Sequence, residues 1–217
     1  MKTLSKLLKT AKEKVDFTST YTIEKGMQLV KEIASAKFNE SIEAHISLNI
    51  DPKYADQQLR TTVVLPHGTG KTIRIGALVA SDRVSDAEAA GAEVFGSEDL
   101  IEDISKGILD FDLLVTTADM MPKLAKLGRV LGPKGLMPSP KAGTVTTELN
   151  QTISEFKKGK LEYRADKTGI VHISFGKADF TETQLNENFK AFFNSVETNK
   201  PSGVKGKYNK KVTICST

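Results

Sequence analysis

The sequence contains one cysteine, no tryptophan and few aromatic residues. The single thiol among its 217 residues is Cys215, and aromatic residues make up only 6% of the chain. One cysteine excludes an internal disulfide and a zinc site built from cysteines alone. The composition therefore fits a protein that works in a reducing compartment.

Long hydrophobic runs are also missing. No apolar stretch approaches the roughly 18 residues that a membrane-spanning helix requires. The first segment, MKTLSKLLKTAKEKV, has scattered lysines and no apolar block, so it is not typical of a secretory signal. Helical spacing of its apolar residues instead predicts a basic amphipathic helix of the mature protein rather than a transit peptide, which fits a bacterial or an organelle-encoded chain. These apolar residues are Leu4, Leu7, Leu8, Ala11 and Val15.

Acidic residues are absent between Asp119 and Glu148. Within this stretch lies what we call the signature segment, residues 126–145 (KLGRVLGPKGLMPSPKAGTV), which has four glycines and three prolines. Such a composition predicts a loop of defined shape. An acid-free basic loop suits a phosphate-rich partner, although ordinary solvated turns have the same chemistry. Its basic residues are Lys126, Arg129, Lys134 and Lys141.

Two kinds of hydrophobic pattern follow one another along the chain. Apolar and polar residues alternate at 42–50, 59–65 and 171–175, which predicts strands with one buried face, and a last strand is predicted near 212–214. Short continuous apolar runs at 73–80 and 113–117 instead predict strands covered on both faces, as in a parallel α/β unit. Helices are predicted at about 22–34, 85–93, 97–109, 119–127, 149–158 and 181–196.

These patterns predict two domains. The outer domain, residues 1–66 plus 158–217, is an α+β unit with a split β-α-β-like antiparallel sheet and helices on one face. It is interrupted by an inserted α/β domain, residues 67–157. The outer domain holds 21 Lys/Arg and 14 Asp/Glu, a net +7, whereas the insert holds 10 and 13, a net −3. This asymmetry points to the outer domain as the main nucleic-acid face.

The sequence gives no positive sign of catalysis, of a metal or of a cofactor. PHGTGKT, residues 66–72, lacks the first glycine of a P-loop and precedes a predicted strand rather than a helix. We interpret it as a hinge containing Gly68 and Gly70, with Gly159 at the second crossing between the domains. His45 and His172 have no third ligand at metal-site spacing, and His67 shows no partner. The rival hypothesis is a nucleotide-binding enzyme that uses the α/β insert.

The turn at residues 36–41 leaves two alternatives open. Phe38 either belongs to the core or, beside Lys37 and Ser41, offers a flat apolar face to a ribose or base. The lysines near the C-terminus either attract phosphate or form a solvated edge. They are Lys205, Lys207, Lys210 and Lys211.

The amino-acid sequence of the signature segment closely resembles the signature of the ribosomal protein L-one family. YTIEKGMQLVKEIASAKFNESIEAH, DPKYADQQLRTTVVLPHGTGK, EYRADKTGIVHISFGKADF and KPSGVKGKYNKKVTICST also follow in the family's order, so the resemblance covers almost the whole chain. It implies a three-layer Rossmann-like insert and a protein of the mobile lateral stalk of the large ribosomal subunit, in bacterial cytoplasm or plastid stroma. The implied partners are large-subunit ribosomal RNA, exit-site tRNA, the protein's own messenger RNA and other ribosomal components, with no membrane. The implied roles are release of deacylated tRNA from the exit site and translational repression.

The resemblance also implies an RNA-binding surface on the outer domain. The family usually continues with Met-Gly-Pro, which contacts RNA, whereas this sequence ends at Thr217. Short hydroxyl side chains on the last strand suit 2′-hydroxyl and phosphate groups. The predicted RNA-binding residues are Lys37, Phe38, Ser41, Asp166, Lys167, Thr168, Gly169, His172, Thr213, Ser216 and Thr217.

Overall fold

A computed structural model describes residues 6–16, 18–204 and 206–217, with the side chains of residues 6–8 left out. The predicted apolar positions Leu4, Leu7 and Leu8, and Lys205, therefore lie outside the described side chains. The helices are α1 Lys6–Lys14, α2 Ile23–Ile33, α3 Val84–Ala89, α4 Glu98–Lys106, α5 Met121–Ala125, α6 Gly128–Lys134, α7 Leu149–Lys157 and α8 Glu182–Thr198. The strands are β1 Ser41–Leu48, β2 Arg60–Val64, β3 Ile75–Leu78, β4 Val94–Gly96, β5 Leu113–Thr116, β6 Lys160–Arg164, β7 Ile170–Lys177 and β8 Asn209–Ser216.

The protein is a mixed α/β protein with several sheets, as predicted. Its described residues divide into two compact units, which we call unit 1 (within 1–59, 63–70 and 163–217) and unit 2 (60–62 and 71–162). Residues 67–70 therefore group with unit 1, and residues 60–62 and 158–162 with unit 2, whereas the bounds predicted from sequence assign each of these ranges to the other domain. Among the described helices, none combines the length and the hydropathy that a membrane crossing requires.

Unit 1 is built on an antiparallel sheet with strand order β7-β1-β8. Strand β1 alternates strictly between buried and partly exposed residues, as its sequence predicts. Helices α2 and α8 contact each other and the strands β8 and β7. Both helices begin where the sequence indicates: the Thr22 side chain caps α2, and Thr181 forms a capping box with Gln184 at the start of α8.

Aromatic side chains from α8 fill the core of unit 1. Phe189 meets Phe175 edge-on with ring centroids 5.7 Å apart, and Phe192 meets Tyr163 in the same way at 5.3 Å. The only fully buried polar side chain on this helix, within the part of the chain described, is Asn188. The apolar stripe that predicted α8 therefore contains one buried amide that needs hydrogen-bond partners.

Unit 2 contains a parallel sheet with strand order β4-β3-β5. Alternate residues of β3 belong to two hydrophobic clusters: Ile75 and Ala77 pack with Phe156 of α7, whereas Leu78 packs with Ile104 of α4. Burial on both faces explains why the strand has a continuous apolar run in the sequence. Strand β4 was not predicted, because its three residues are too few to show a period.

The signature segment differs from its prediction as a loop. Residues 128–134 form α6, which carries Pro133 in its last turn and ends at Gly135 with φ 72°. Leu127 and Leu131 are buried on one side of this short helix, four residues apart. The i, i+4 spacing of two core leucines outweighs the helix-breaking residues around them, because burial of a helix face supplies most of the stability of short helices.

Candidate nucleic-acid interface

One face of the unit 1 sheet is lined by polar side chains, and we call it the polar face. Because β1 buries its even-numbered residues, its odd-numbered residues project from the other side. Antiparallel register sets His45 opposite His172 of β7 and Thr213 of β8, and sets Glu43 opposite Cys215. The polar face thus gathers side chains from three strands that are far apart in sequence.

The Phe38 turn, residues 36–40, lies immediately before β1. The buried Glu40 side chain accepts a hydrogen bond from the Ala36 amide (2.6 Å), and the Glu40 carbonyl accepts one from the Ala178 amide (2.9 Å). These bonds hold the turn so that Lys37 and Phe38 project outward. Phe38 is 62% exposed. The alternative that Phe38 belongs to the core is therefore wrong.

Thr217 is joined to the start of β1. Its amide donates to the Ser41 carbonyl (3.1 Å), and the Ser41 amide donates to the Thr217 hydroxyl (3.1 Å). Lys177, which sequence reasoning missed, donates from Nζ to the Ser41 hydroxyl (2.8 Å). Lys177 and Ser41 meet because they pair across β7 and β1, a register that the sequence does not reveal. Ser216 pairs with the core residue Ile42, so it faces away from the polar face and does not join the other predicted residues.

The Asp166 turn, residues 166–169, lies beyond the other end of β1. The Asp166 carboxylate accepts hydrogen bonds from the amides of Ile170 (2.9 Å) and Thr168 (2.8 Å). Hydrogen bonds from Ile170 and then Thr168 lower the pKa of Asp166 to about 2, so the carboxylate stays charged across the physiological range. Lys167 and Thr168 are exposed at the tip of this turn.

Gly169 has a role inside the protein that the sequence did not reveal. Its φ is 78°, its carbonyl accepts a hydrogen bond from the Leu48 amide (2.9 Å), and it is buried. A Cβ at this position would lie 3.0 Å from the Ile50 carbonyl oxygen. Gly169 is predicted to bind RNA, but the close backbone approach that its lack of a side chain permits is made to the protein's own chain.

The histidines have more partners than the sequence indicates. The Nδ1 atoms of His45 and His172 are 2.8 Å apart, and His172 Nε2 lies 3.5 Å from Asp166 Oδ2. His45 Nε2 lies 3.2 Å from the sulfur of Cys215. Burial and the charge of Glu43 raise the pKa of the Cys215 thiol. The prediction that His45 has no further metal-ligating side chains around it at metal-site spacing is therefore wrong, because Glu43 and Cys215 lie beside it.

His67 and Gly68 form hydrogen bonds with α8, and the predicted hinge glycines have positive φ angles. The His67 amide donates to Asn188 Oδ1 (3.0 Å), and its ring pairs with Glu187, so the prediction that His67 has no partner is wrong. Asn188 also donates to the Gly68 carbonyl (2.9 Å). The three glycines have positive φ, which a side chain would strain, and their hinge role stays a prediction. Their φ values are 65° for Gly68, 72° for Gly70 and 108° for Gly159.

The predicted RNA-binding residues fall into two groups along β1. Ser47, which lies next to the Asp166 turn, is six positions along β1 from Ser41, so the two groups are about 20 Å apart at the usual rise of a strand. His172 and Thr213 lie between them on either side of His45. A single base cannot span that distance, so a nucleic acid that contacts both groups must present several nucleotides to the surface.

In unit 2, the basic residues of the signature segment are all exposed: Lys126, Arg129, Lys134 and Lys141. In the described part of the chain no acidic side chain forms an ion pair with any of them. By contrast, α4 begins with Glu98 and Asp99, and Glu98 pairs with Lys123 (2.8 Å). An acidic first turn repels phosphate, which argues against the rival hypothesis of a nucleotide site there.

Comparison with known proteins agrees with these observations. The model of the Ribosomal protein L1p/L10e family matches residues 30–217. The chain is 59% identical over 217 residues to Large ribosomal subunit protein uL1c of Trieres chinensis, covering all of this chain and 94% of that protein. It is 58% identical over 217 residues to Large ribosomal subunit protein uL1 of Prochlorococcus marinus (strain MIT 9515), covering 100% and 92%.

A third relative is Large ribosomal subunit protein uL1 of Synechococcus sp. (strain WH7803), 62% identical over 192 residues, which are 88% of this chain and 82% of that protein. All three relatives are named as ribosomal proteins, which confirms the prediction that the chain is not an enzyme. The chain belongs to the Ribosomal protein L1p/L10e family.

Proposed function

We propose that the protein is a structural constituent of the large ribosomal subunit, in bacterial cytoplasm or plastid stroma, and that it binds large-subunit ribosomal RNA through unit 1. The relatives' names support the subunit, and the cyanobacterial and uL1c relatives support the two locations. The observation that carries RNA binding is the Phe38 turn, which holds an aromatic ring 62% exposed beside Lys37. An exposed aromatic ring with a neighbouring lysine is the arrangement by which RNA-binding proteins stack on a base or ribose and attract the phosphate beside it.

The finer architecture is part of the same proposal. The outer domain, with its antiparallel sheet, binds the RNA. The insert, a three-layer Rossmann-like domain, brings the signature segment to exit-site tRNA and assists release of that tRNA. The unpaired cations on α6 and on the turn at Lys141 support a phosphate-binding role for the insert. Gly68, Gly70 and Gly159 would let the insert swing as part of a mobile stalk. Other ribosomal components complete the set of partners.

Repression of translation follows from the same surface. A messenger RNA that folds like the ribosomal site would occupy the polar face, so the two RNAs would exclude each other. The test is competition: a fragment of the protein's own messenger RNA is added to a complex with the ribosomal RNA fragment. Simultaneous binding of both RNAs to one protein molecule would contradict a shared surface.

The experiment for RNA binding is fluorescence anisotropy of a labelled stalk RNA fragment with Phe38→Ala. Loss of an aromatic contact with a base or sugar costs about 1–3 kcal/mol, or roughly 5- to 150-fold in Kd. Because Phe38 is exposed, the thermal midpoint should hardly change. Phe95→Ala, the same substitution at a partly exposed ring of unit 2, is the matched control and should leave Kd unchanged.

Two results would contradict the proposal. One is an unchanged Kd for Phe38→Ala in a folded protein, which removes the ring from the interface. The other is an equal loss of affinity in Phe95→Ala, which shows that the assay reports a general effect of removing an exposed phenylalanine.

A further inference from the structure

Three metal-ligating side chains meet on the polar face of the unit 1 sheet. Glu43, His45 and Cys215 each offer a ligand atom, and these atoms all lie within 4.8 Å of one another. We propose that Glu43, His45 and Cys215 form a binding site for a divalent cation of the zinc type. The strand register and the contacts of these side chains bring the three ligands together.

The distances are close to those of a tetrahedral zinc site. Ligands at about 2.1 Å for nitrogen and oxygen and 2.3 Å for sulfur would lie about 3.4–3.6 Å from one another around one ion. Here His45 Nε2 is 3.2 Å from the Cys215 sulfur and 4.0 Å from the nearer Glu43 oxygen. The ligand atoms of Glu43 and Cys215 lie within 4.8 Å of each other, so the Glu43 carboxylate, on a side chain that is 42% exposed, must move by about 1 Å toward the other two ligands.

The chemistry of the ligands selects the class of metal. One thiolate, one imidazole and one carboxylate are the ligands that zinc prefers, whereas magnesium and calcium prefer oxygen ligands alone. Binding forms a metal–sulfur bond while the Cys215 thiol loses its proton to solvent, and no electron is transferred. Three protein ligands leave the fourth tetrahedral position open to water.

A chain of contacts behind His45 holds the imidazole in the required orientation. Asp166 is an ionised acceptor, so His172 Nε2–H points to it, and His172 Nδ1 is left to accept from His45 Nδ1–H at 2.8 Å. This assignment frees the lone pair of His45 Nε2 toward Cys215 and Glu43. Metal-binding histidines generally donate their second ring N–H to such a partner, which fixes the tautomer. His172 is thus a positioning residue for the site.

The test uses the full chain without RNA and takes Co²⁺ as a spectroscopic probe for Zn²⁺. We expect a thiolate-to-cobalt charge-transfer band and visible bands of a tetrahedral ion that saturate at one equivalent and disappear when Zn²⁺ is added. Cys215→Ser should abolish the charge-transfer band, and His45→Ala should abolish saturable binding. Glu43→Gln, which keeps the size of the side chain, should weaken it. Circular dichroism checks that each variant is folded.

The chain supplies its own control, because it has only three histidines and one cysteine. His67→Ala, on a residue paired with Glu187 away from the polar face, should bind cobalt like the original protein. His172→Ala should keep the bands but lower Zn²⁺ affinity about 10- to 100-fold, as expected for a residue that only orients a ligand.

Three outcomes would overturn the inference: no charge-transfer band, a band that survives Cys215→Ser, or equal losses in His67→Ala and His45→Ala. Since RNA is absent from the assay, a failure here leaves the proposed RNA-binding function untouched. A loss of RNA affinity in Phe38→Ala likewise says nothing about the metal.

Discussion

Replacing Asn188 with alanine removes a buried amide that connects three parts of unit 1. Its Nδ2 donates to the carbonyls of Gly68 (2.9 Å) and Phe175 (2.8 Å), and its Oδ1 accepts from the His67 amide (3.0 Å). Phe175 is the extra residue of a bulge: Ile42 pairs with Gly176 and Glu43 with Ser174, so the carbonyl of Phe175 lacks a regular ladder partner on β1. Asn188→Ala therefore leaves three backbone groups without their partner.

The size of the effect follows from these contacts. Each hydrogen bond contributes about 0.5–1.5 kcal/mol net, so the loss of three predicts about 2–4 kcal/mol of destabilisation. Asn188→Asp keeps the acceptor for the His67 amide but loses both donated hydrogen bonds, and it places a negative charge beside two carbonyl oxygens. We therefore expect it to destabilise the protein at least as much as Asn188→Ala. Asn194→Ala on the same helix is the control. Asn194 is exposed, and alanine favours helix slightly more, so its stability should change by less than about 0.7 kcal/mol.

The assay is native-state hydrogen exchange at the His67 amide, together with urea unfolding followed by circular dichroism, because the chain has no tryptophan. A loss of about 3 kcal/mol predicts roughly 100-fold faster exchange at His67. Exchange reports this one amide, so the result does not depend on two-state unfolding of a protein with two units. If Asn188→Ala costs less than about 1 kcal/mol, or changes His67 exchange no more than Asn194→Ala does, the described hydrogen bonds are wrong.

Four further predictions concern unit 1. Thr181→Ala removes the capping box of α8 and should cost about 1 kcal/mol in urea unfolding; no change would mean that the cap is not formed. Gly169→Ala forces a side chain into φ 78° and against the Ile50 carbonyl, so it should destabilise by more than about 1 kcal/mol, and a neutral result would contradict the close approach. The lowered pKa of Asp166 gives a stability that is present above about pH 4 and is lost as the pH falls toward 2; in Asp166→Asn this part of the pH profile should vanish. Lys37→Gln should reduce the slope of log affinity for stalk RNA against log salt by about 1, and an unchanged slope would remove Lys37 from phosphate contact.

The sequence predicts an element well when one face of that element is buried over several residues. Strand β1 alternates over eight residues and α8 carries an apolar stripe over four turns, so both were predicted with their correct faces. Strand β6 was missed because its five residues, between a helix and a turn, show too short an alternation. Helix α6 was missed because its glycines and Pro133 are strong local signals, whereas its burial becomes apparent only when unit 2 is folded.

Side-chain neighbourhoods depend on register, which the sequence leaves open. The positions of His45 and Cys215 each follow from an alternating pattern, but their 3.2 Å contact requires that Glu43 pair with Cys215, over 170 residues away along the chain. A slip of one residue would send Cys215 to the other face. The same argument separates Ser216 from Thr217, which the sequence presents as equivalent hydroxyl residues.

The helical part of the signature segment, residues 128–134, bears on the proposal that its cations contact RNA or tRNA. In a flexible loop, each lysine would lose backbone as well as side-chain freedom on binding, at about 1–2 kcal/mol per ordered residue. Here α6 and the turn at Lys141 fix the backbone before any partner arrives, and the buried Leu131 ties the helix to the core of unit 2. Lys134 also occupies the last turn of α6, where the helix dipole favours a cation. The buried leucines therefore fix the backbone of α6, and in the proposed phosphate-binding role its basic side chains would lose side-chain entropy alone.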